Sequence, residues 1–324
     1  MKSSNFETPV ALIIFNRPDH TRKVFEKISK IKPCKFFIIS DGPRLEKNES
    51  KLVDMCRSIV NEIDWECELF TNFSDVNLGC KYRPATGIDW IFEHVDRAII
   101  LEDDCLPDIS FFYFCDELLT KYEHDNNIGM ISGCNLLESS YTGDDDYFFT
   151  WHSYTWGWAT WKNRWLDFDL ELESWSEVKK NNFLEGILDS KEAKKAWIKG
   201  FDNLAKGGMD AWDYQWLYTN WIKRRINIVP KKNLISNIGF DLSATHTFNS
   251  SDRFSNLPSQ SIEFPLRHPE IVAINYSADL KLYNHVFGIR LIHRIQAIDR
   301  ALRDFIKKLP GGWMALHIYR KLKK

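Results

Sequence analysis

The chain has 324 residues, 44% hydrophobic and 27% charged, which supplies a sizeable core and excludes disorder as the main state. At ~100–200 residues per domain, this length suits one large α/β domain with an appendage, or two domains. A formal net charge of −2 excludes an overall basic nucleic-acid binder, so no nucleic-acid partner is expected.

The first 135 residues alternate between apolar runs and helical stripes. Val10-Ala-Leu-Ile-Ile-Phe15 is a continuous apolar run of the kind a buried strand shows. Residues 19–31 follow with Val24, Ile28 and Ile31 at helical spacing, and Phe36-Phe-Ile-Ile39 is a second strand ended by the turn Ser40-Asp-Gly-Pro43. Leu52, Cys56, Ile59 and Ile63 form a helix stripe, residues 66–70 a weaker third strand, and residues 84–95 a helix with Ile88, Ile91, Phe92 and Val95 on one face. Ala98-Ile-Ile-Leu101 is a fourth strand that runs straight into Glu102-Asp103-Asp104. This β-α-β-α-β-α-β order predicts an α/β fold with a mainly parallel sheet flanked by helices. Ligands of such sheets bind beyond the carboxyl ends of the strands, which here carry Asn16-Arg17-Pro18, Asp41-Gly42-Pro43-Arg44 and Glu102-Asp103-Asp104.

An aromatic helix around Phe111-Phe-Tyr-Phe114 and a short strand over residues 128–132 come next. Of 13 tryptophans, ten lie between Trp151 and Trp221, more than an ordinary core needs. Polar residues around 250 and Pro258, Pro265 and Pro269 mark an extended connection over residues 251–280. From Lys281 to Lys324, eleven Lys and Arg stand against two acids, a local charge of +9 beside −11 for the rest. Phe287, Leu291, Ile295, Ile298, Leu302 and Phe305 give this basic helical tail an apolar stripe, which suits an anionic membrane surface. A helix packed on the acidic body or on a partner protein fits the same pattern.

No apolar leader follows Met1, and no run approaches the ~18 apolar residues of a membrane span. The seven cysteines include no C-x-x-C pair and read as reduced thiols in a cytoplasmic protein, peripheral on the inner face of the membrane if the tail binds lipid.

Neither a G-x-G-x-x-G nor a G-x-x-x-x-G-K-[ST] motif is present, which disfavours dinucleotide and P-loop chemistry. Phosphates then need another counter-charge, most simply a divalent cation. Three successive carboxylates at a strand end repel one another until an oxygen-seeking cation such as Mg²⁺ or Mn²⁺ relieves them. A solvated acidic turn is the alternative.

The first strand with Asn16-Arg17, the second ending Ser40-Asp41-Gly42, then Asn77-Leu78-Gly79-Cys80 and Ile100-Leu-Glu-Asp-Asp-Cys-Leu-Pro-Asp108 resemble the nucleotide-sugar half of GT-A-fold glycosyltransferases. The likeness is nearest to the N-acetylglucosaminyltransferase I family and its bacterial glycosyltransferase-like relatives, over about residues 9–245. It implies a GT-A, Rossmann-like nucleotide-diphospho-sugar transferase fold over residues 1–250, with a nucleotide-sugar half (1–135) and an acceptor half (136–250), before the connection and the tail (281–324).

By the same resemblance Asp104 is the direct ligand of Mn²⁺ or Mg²⁺. Glu102 and Asp103 hold the metal's waters and the ribose, with Asn16, Arg17 and Asp41 about the nucleotide. Lys81 and Arg83 face the diphosphate or simply begin a helix. His246, near the end of the domain, is a further metal or diphosphate ligand or a structural histidine. Gly207-Gly-Met-Asp-Ala-Trp-Asp-Tyr-Gln-Trp216 resembles the segment that carries the catalytic base of inverting members. The match makes Asp213 the base that deprotonates an acceptor hydroxyl, with Asp210 in reserve, and an N-cap aspartate as the structural alternative. Trp156, Gly157, Trp158 and Trp212 are expected to shape a sugar and acceptor pocket, with Gly157 permitting a close backbone approach, although a tryptophan-rich core explains much of the same pattern.

The implied activity is a metal-dependent, inverting transfer of a hexosyl or N-acetylhexosaminyl group. It runs from a nucleotide-diphosphate donor, a UDP-sugar by expectation, to a hydroxyl of a glycan or lipid-linked saccharide, as in polysaccharide biosynthesis. The alternatives are a non-catalytic carbohydrate-binding or membrane-adaptor protein on the same fold, and a sugar nucleotidyltransferase. The last normally has a glycine-rich loop after the first strand, where this chain has Phe15-Asn-Arg-Pro.

Overall fold

The computed structural model describes residues 6–137, 143–240 and 254–287, with side chains as far as 284. The chain divides into two compact units, Met1–Asp279 and Leu280–Lys324. Of the second unit only the helical residues 280–287 are described, so the tail's charge pattern lies almost wholly outside the described residues.

The first unit runs β1 (Val10–Ile14), α1 (Pro18–Ile31), β2 (Lys35–Ser40), α2 (Ser50–Arg57), β3 (Glu68–Phe73), α3 (Gly79–His94), β4 (Arg97–Glu102), β5 (Cys105–Pro107) and α4 (Ser110–Lys121). It continues with β6 (Ile128–Ser132), β7 (Tyr147–Thr150), β8 (Trp158–Trp161), α5 (Lys162–Trp165), α6 (Trp175–Val178), α7 (Lys191–Leu204), α8 (Asp213–Ile222), β9 (Ile226–Pro230) and β10 (Ile235–Asn237). Helix α9 (Tyr276–Phe287) begins in this unit.

Eight strands form one sheet in the order β3-β2-β1-β4-β8-β6-β9-β7, and β10 pairs with β5 in a second. β1 is parallel to β2 and β4, while β8 and β7 run against their neighbours. The mainly parallel, helix-flanked α/β sheet of the sequence analysis is therefore present. β1 and β2 are apolar runs because helices cover both faces. β3 gave a weak signal because it is an edge strand, with three residues exposed and three half-buried.

Helix α1 starts at Pro18, whose missing N–H costs nothing in a first turn, and buries Thr21, Val24, Phe25, Ile28 and Ile31. Lys32 ends it in the left-handed conformation, its N–H returning to the Ile28 carbonyl. Helix α3 starts five residues before the expected Pro84, at Gly79. The Asp41 carboxylate, distant in sequence, accepts from the Leu78 and Gly79 N–H groups at 2.8 and 3.0 Å, so no local residue announces the start.

Eight of the ten clustered tryptophans are buried, and only Trp151 and Trp156 keep intermediate exposure. Trp158, Trp165, Trp212 and Trp216 share one core with Ile88, Ile91, Ile100 and Met130. The Trp158 ring lies 5.7 Å from Trp212 and 5.9 Å from Trp216, and Trp165 lies 5.0 Å from Trp216. This stack fixes α8 to the sheet. The connection expected over 251–280 is not a free linker where it is described. Ile262 and Leu266 are buried, the Arg267 N–H donates to Asp146 at 2.7 Å, and the Thr150 hydroxyl donates to Asp279 at 2.5 Å. The first unit accordingly extends past residue 250 to Asp279.

Trp158 has no exposed surface. Trp158→Ala is expected to destabilise the fold by about 3–5 kcal/mol, seen as a lower urea midpoint at unchanged slope. A pocket-lining tryptophan would instead leave the unfolding free energy within about 0.5 kcal/mol of the parent.

Candidate functional site

The strand order reverses between β1 and β4: β2 and β3 lie to one side of β1, β4 to the other. Ile13 stands opposite Glu102, so both strands end at the same edge. A crevice at such a switch point is where an open α/β sheet binds its ligands.

β1 delivers Phe15, Asn16 and Arg17 to this edge, and β4 delivers Glu102, Asp103 and Asp104. Asp103, 2% exposed, accepts from the Phe15 N–H at 3.2 Å through one oxygen and from Arg17 through the other. Arg17 also donates to Asp104 at 3.1 Å. Burial disfavours the Arg17 charge, but Asp103 and Asp104 more than offset that and raise its pKa. Burial, with Asp104 and Asp103 beside it, pushes the Glu102 carboxyl up to about 8; Arg17 opposes the shift and Asp213 adds to it.

Asn16 donates to Glu49 at 2.8 Å, and Arg44 holds the same carboxylate at 2.8 and 2.6 Å. Asp41 accepts from Asn77 at 2.9 Å as well as from the α3 N-terminus, which places a negative charge at the positive end of that helix. Its carboxylate builds the loop under the crevice.

The acceptor half contributes the start of α8. Trp212 occupies the N-cap position and Asp213 is the first helical residue, so Asp213 is not the N-cap aspartate that the structural alternative required. Asp213 is half-buried and close enough to Glu102 for its charge to act there. Asp210 is exposed, and its carboxylate accepts from the Cys80 thiol at 3.1 Å, beside the start of α3. The fold thus brings Arg17, Asp103, Asp104 and Asp213 close to Glu102, with Cys80 and Asp210 paired beside them.

Other expected residues are engaged elsewhere. Lys81 pairs with Glu171 at 2.8 Å, and Arg83 donates to the Asn72 side chain at 2.8 Å beside β3. Both helix-start cations are therefore paired with protein groups. Trp158 and Trp212 are core residues, buried because their rings stack behind the sheet, and present no face to a sugar. Trp156, half-buried, packs edge-on to Phe240 with ring centroids 5.6 Å apart, and is the member of that set with surface to offer. Gly157 has the expected close approach: its φ is +61°, and a Cβ there would meet the Ile235 side chain at 2.5 Å. His246 lies outside the described residues.

The carboxylates do not fit the expected Mn²⁺ or Mg²⁺ as they are arranged. Both oxygens of Asp103 are committed, and those of Asp104 face Arg17 and the Cys105 thiol at 3.4 Å. Among the described residues no group of three or more His, Cys, Asp and Glu side chains is placed to hold a metal ion. Neither Glu49, which carries no local motif, nor Gly239, which lies against Asp104 and Arg17 far away in sequence, was legible from spacing.

No family model matches the chain. No curated protein matches it either, so neither comparison supports membership of the N-acetylglucosaminyltransferase I family. Among solved structures the chain is similar to the inositol-1-phosphate CTP transferase from T. maritima, at 10% identity over 52% of this chain and 75% of that one, with a TM-score of 0.32. It is also similar to an apo UDP-glucose pyrophosphorylase, at 8% identity over 70% and 93% of the two chains, TM-score 0.34. A third is the 4-diphosphocytidyl-2C-methyl-D-erythritol synthase from Anaerococcus prevotii, at 8% identity over 60% and 84%, TM-score 0.29. Likenesses at these scores carry no argument about activity.

The raised pKa of Glu102 has a measurable consequence. A carboxyl whose folded pKa of about 8 exceeds its ordinary 4.5 contributes stability that is present below pH 4.5 and lost as pH rises through about 8. Glu102→Gln is expected to flatten the decline in urea stability across that window; an undiminished decline would contradict a raised Glu102 pKa.

Proposed function

We propose that this protein is an enzyme acting on nucleotide sugars, and that it transfers the sugar to a hydroxyl of a glycan or lipid-linked saccharide. The observation that supports this reading is the position of Asp213. A carboxylate from the acceptor half stands at the first turn of α8, beside the acidic end of β4. Attack by an acceptor oxygen forms its bond to the anomeric carbon as the bond from that carbon to the diphosphate oxygen breaks. Asp213 takes the acceptor proton, and the nucleoside diphosphate leaves with the bonding pair. One displacement of this kind inverts the anomeric centre and needs no covalent enzyme intermediate.

Trp156 offers an aromatic edge for a sugar ring. The basic tail brings the protein to an anionic membrane where a lipid-linked acceptor would lie, on the cytoplasmic side. Among the described residues no helix is long and apolar enough to cross a membrane.

A second reading is a sugar nucleotidyltransferase, as the CTP transferase and the UDP-glucose pyrophosphorylase among the solved neighbours are named. It joins a nucleoside triphosphate to a sugar phosphate and releases pyrophosphate. The two reactions differ in products. Glycosyl transfer from a UDP-sugar releases UDP, and Asp213→Asn is expected to lower kcat by about 10²–10⁴-fold while UDP binding stays within about two-fold. Release of pyrophosphate from UTP and a sugar 1-phosphate, undiminished in the same variant, would replace this reading with the second.

A further inference from the structure

The arrangement of Arg17 decides how the acidic end of β4 is neutralised. Its guanidinium reaches Asp103 and Asp104 together, donating to one oxygen of each. A divalent cation bridging those two carboxylates would compete with Arg17 for the Asp103 oxygen it holds, and at Asp104 would be left with Oδ1, which faces the Cys105 thiol at 3.4 Å. The opposite oxygen of Asp103 is held by the Phe15 N–H, so that carboxylate cannot turn toward a different ligand without freeing a backbone donor of the chain leaving β1.

The pair is also covered. A Cβ at Gly239 would lie 2.2 Å from Asp104 Oδ2 and 2.8 Å from Arg17 Nη1, so the backbone here rests directly on the ion pair. That backbone is held in turn. The Ile238 N–H donates to the Asp104 carbonyl at 2.9 Å, the Gly239 N–H to the Asn237 side chain at 2.9 Å, and His20 Nε2 contacts the Ile238 carbonyl at 3.0 Å. Arg17 and Asp104 keep only 16% and 17% of their side-chain surface, and Asp103 keeps 3%. In so little water the pairing is weakly screened, and withdrawing either partner strands a buried charge.

We propose that Arg17 is the resident cation of this site, standing where the Glu-Asp-Asp strand would otherwise present its carboxylates to a divalent metal. The free protein therefore does not take up Mn²⁺ or Mg²⁺ at Asp103 and Asp104, and removing the guanidinium creates the metal site that the sequence advertises. The inference concerns the site of the proposed function but holds whichever transfer that site performs.

The test uses MnCl₂ alone, with the full chain and no nucleotide, following free Mn²⁺ by its electron paramagnetic resonance signal. The parent protein is expected to leave the signal unchanged at this site. Arg17→Met is expected to bind Mn²⁺ at least about ten-fold more tightly than the parent, and adding Asp104→Asn is expected to abolish that gain. Arg17→Lys keeps one charge but not the two-pronged reach, and is expected to fall between the two. One Mn²⁺ bound by the parent and lost in Asp104→Asn alone would overturn the proposal, and that measurement does not depend on either Arg17 variant folding. A folded Arg17→Met that binds no more Mn²⁺ than the parent would overturn it equally. Neither result bears on whether UDP is a product, so this inference and the proposed function fail separately.

Discussion

Strand β4 ends beside β1 on three successive carboxylates, Glu102, Asp103 and Asp104, and something must answer their charge. Arg17 does so, and much of the site follows from it. Its reach to Asp103 and Asp104, together with the Phe15 N–H on Asp103, ties the chain leaving β1 to the chain leaving β4. That tie lies where the strand order reverses, so the crevice is shaped by an ion pair as much as by the sheet. Gly239 is required because nothing larger fits over the pair. Burial, and after it the like charges of Asp104 and Asp103, make the Glu102 carboxyl hold its proton well above the ordinary range.

A second constraint comes from the opposite half of the unit. Asp213 belongs to a helix whose position is set by tryptophans. Trp212 and Trp216, on either side of it in sequence, are buried against Trp158 and Trp165. The indoles that suggested a sugar surface mainly form the mount that presents the first turn of α8 to the crevice. The apolar energetics of the core and the chemistry proposed for the site are linked through one helix. Asp210 reaches the start of α3 from the same segment, where its carboxylate accepts from the Cys80 thiol.

The parallel sheet was legible because β1, β2 and β4 are buried on both faces and so read as unbroken apolar runs. The site's location was legible for a related reason: strand ends in an alternating fold are where polar residues have work to do, and Arg17, Asp41 and the acidic triplet all sit at such ends. What could not be read were partnerships across long sequence distances. Asp41 proved to hold the first turn of α3, Arg83 to bind Asn72, and Arg17 to bind the triplet itself. Each is a side chain of the expected type at the expected strand or helix end, with a partner that spacing does not reveal. The same limit hid the burial of Trp158 and Trp212, since dense aromatics look alike in sequence whether they line a pocket or fill a core. The connection after residue 250 looked extended because of its prolines, yet its described part is pinned to β7 and to Asp146 by bonds invisible from composition.

The proposed function requires a nucleotide diphosphate to bind where β1 and β4 end. Hydrogen exchange with and without saturating UDP tests this most directly, because amide protection reports position without presuming a reaction. Slowed exchange is expected in residues 15–17, 41–42, 77–80 and 102–105. Protection confined to other segments, or none at all in the presence of bound UDP, would contradict it.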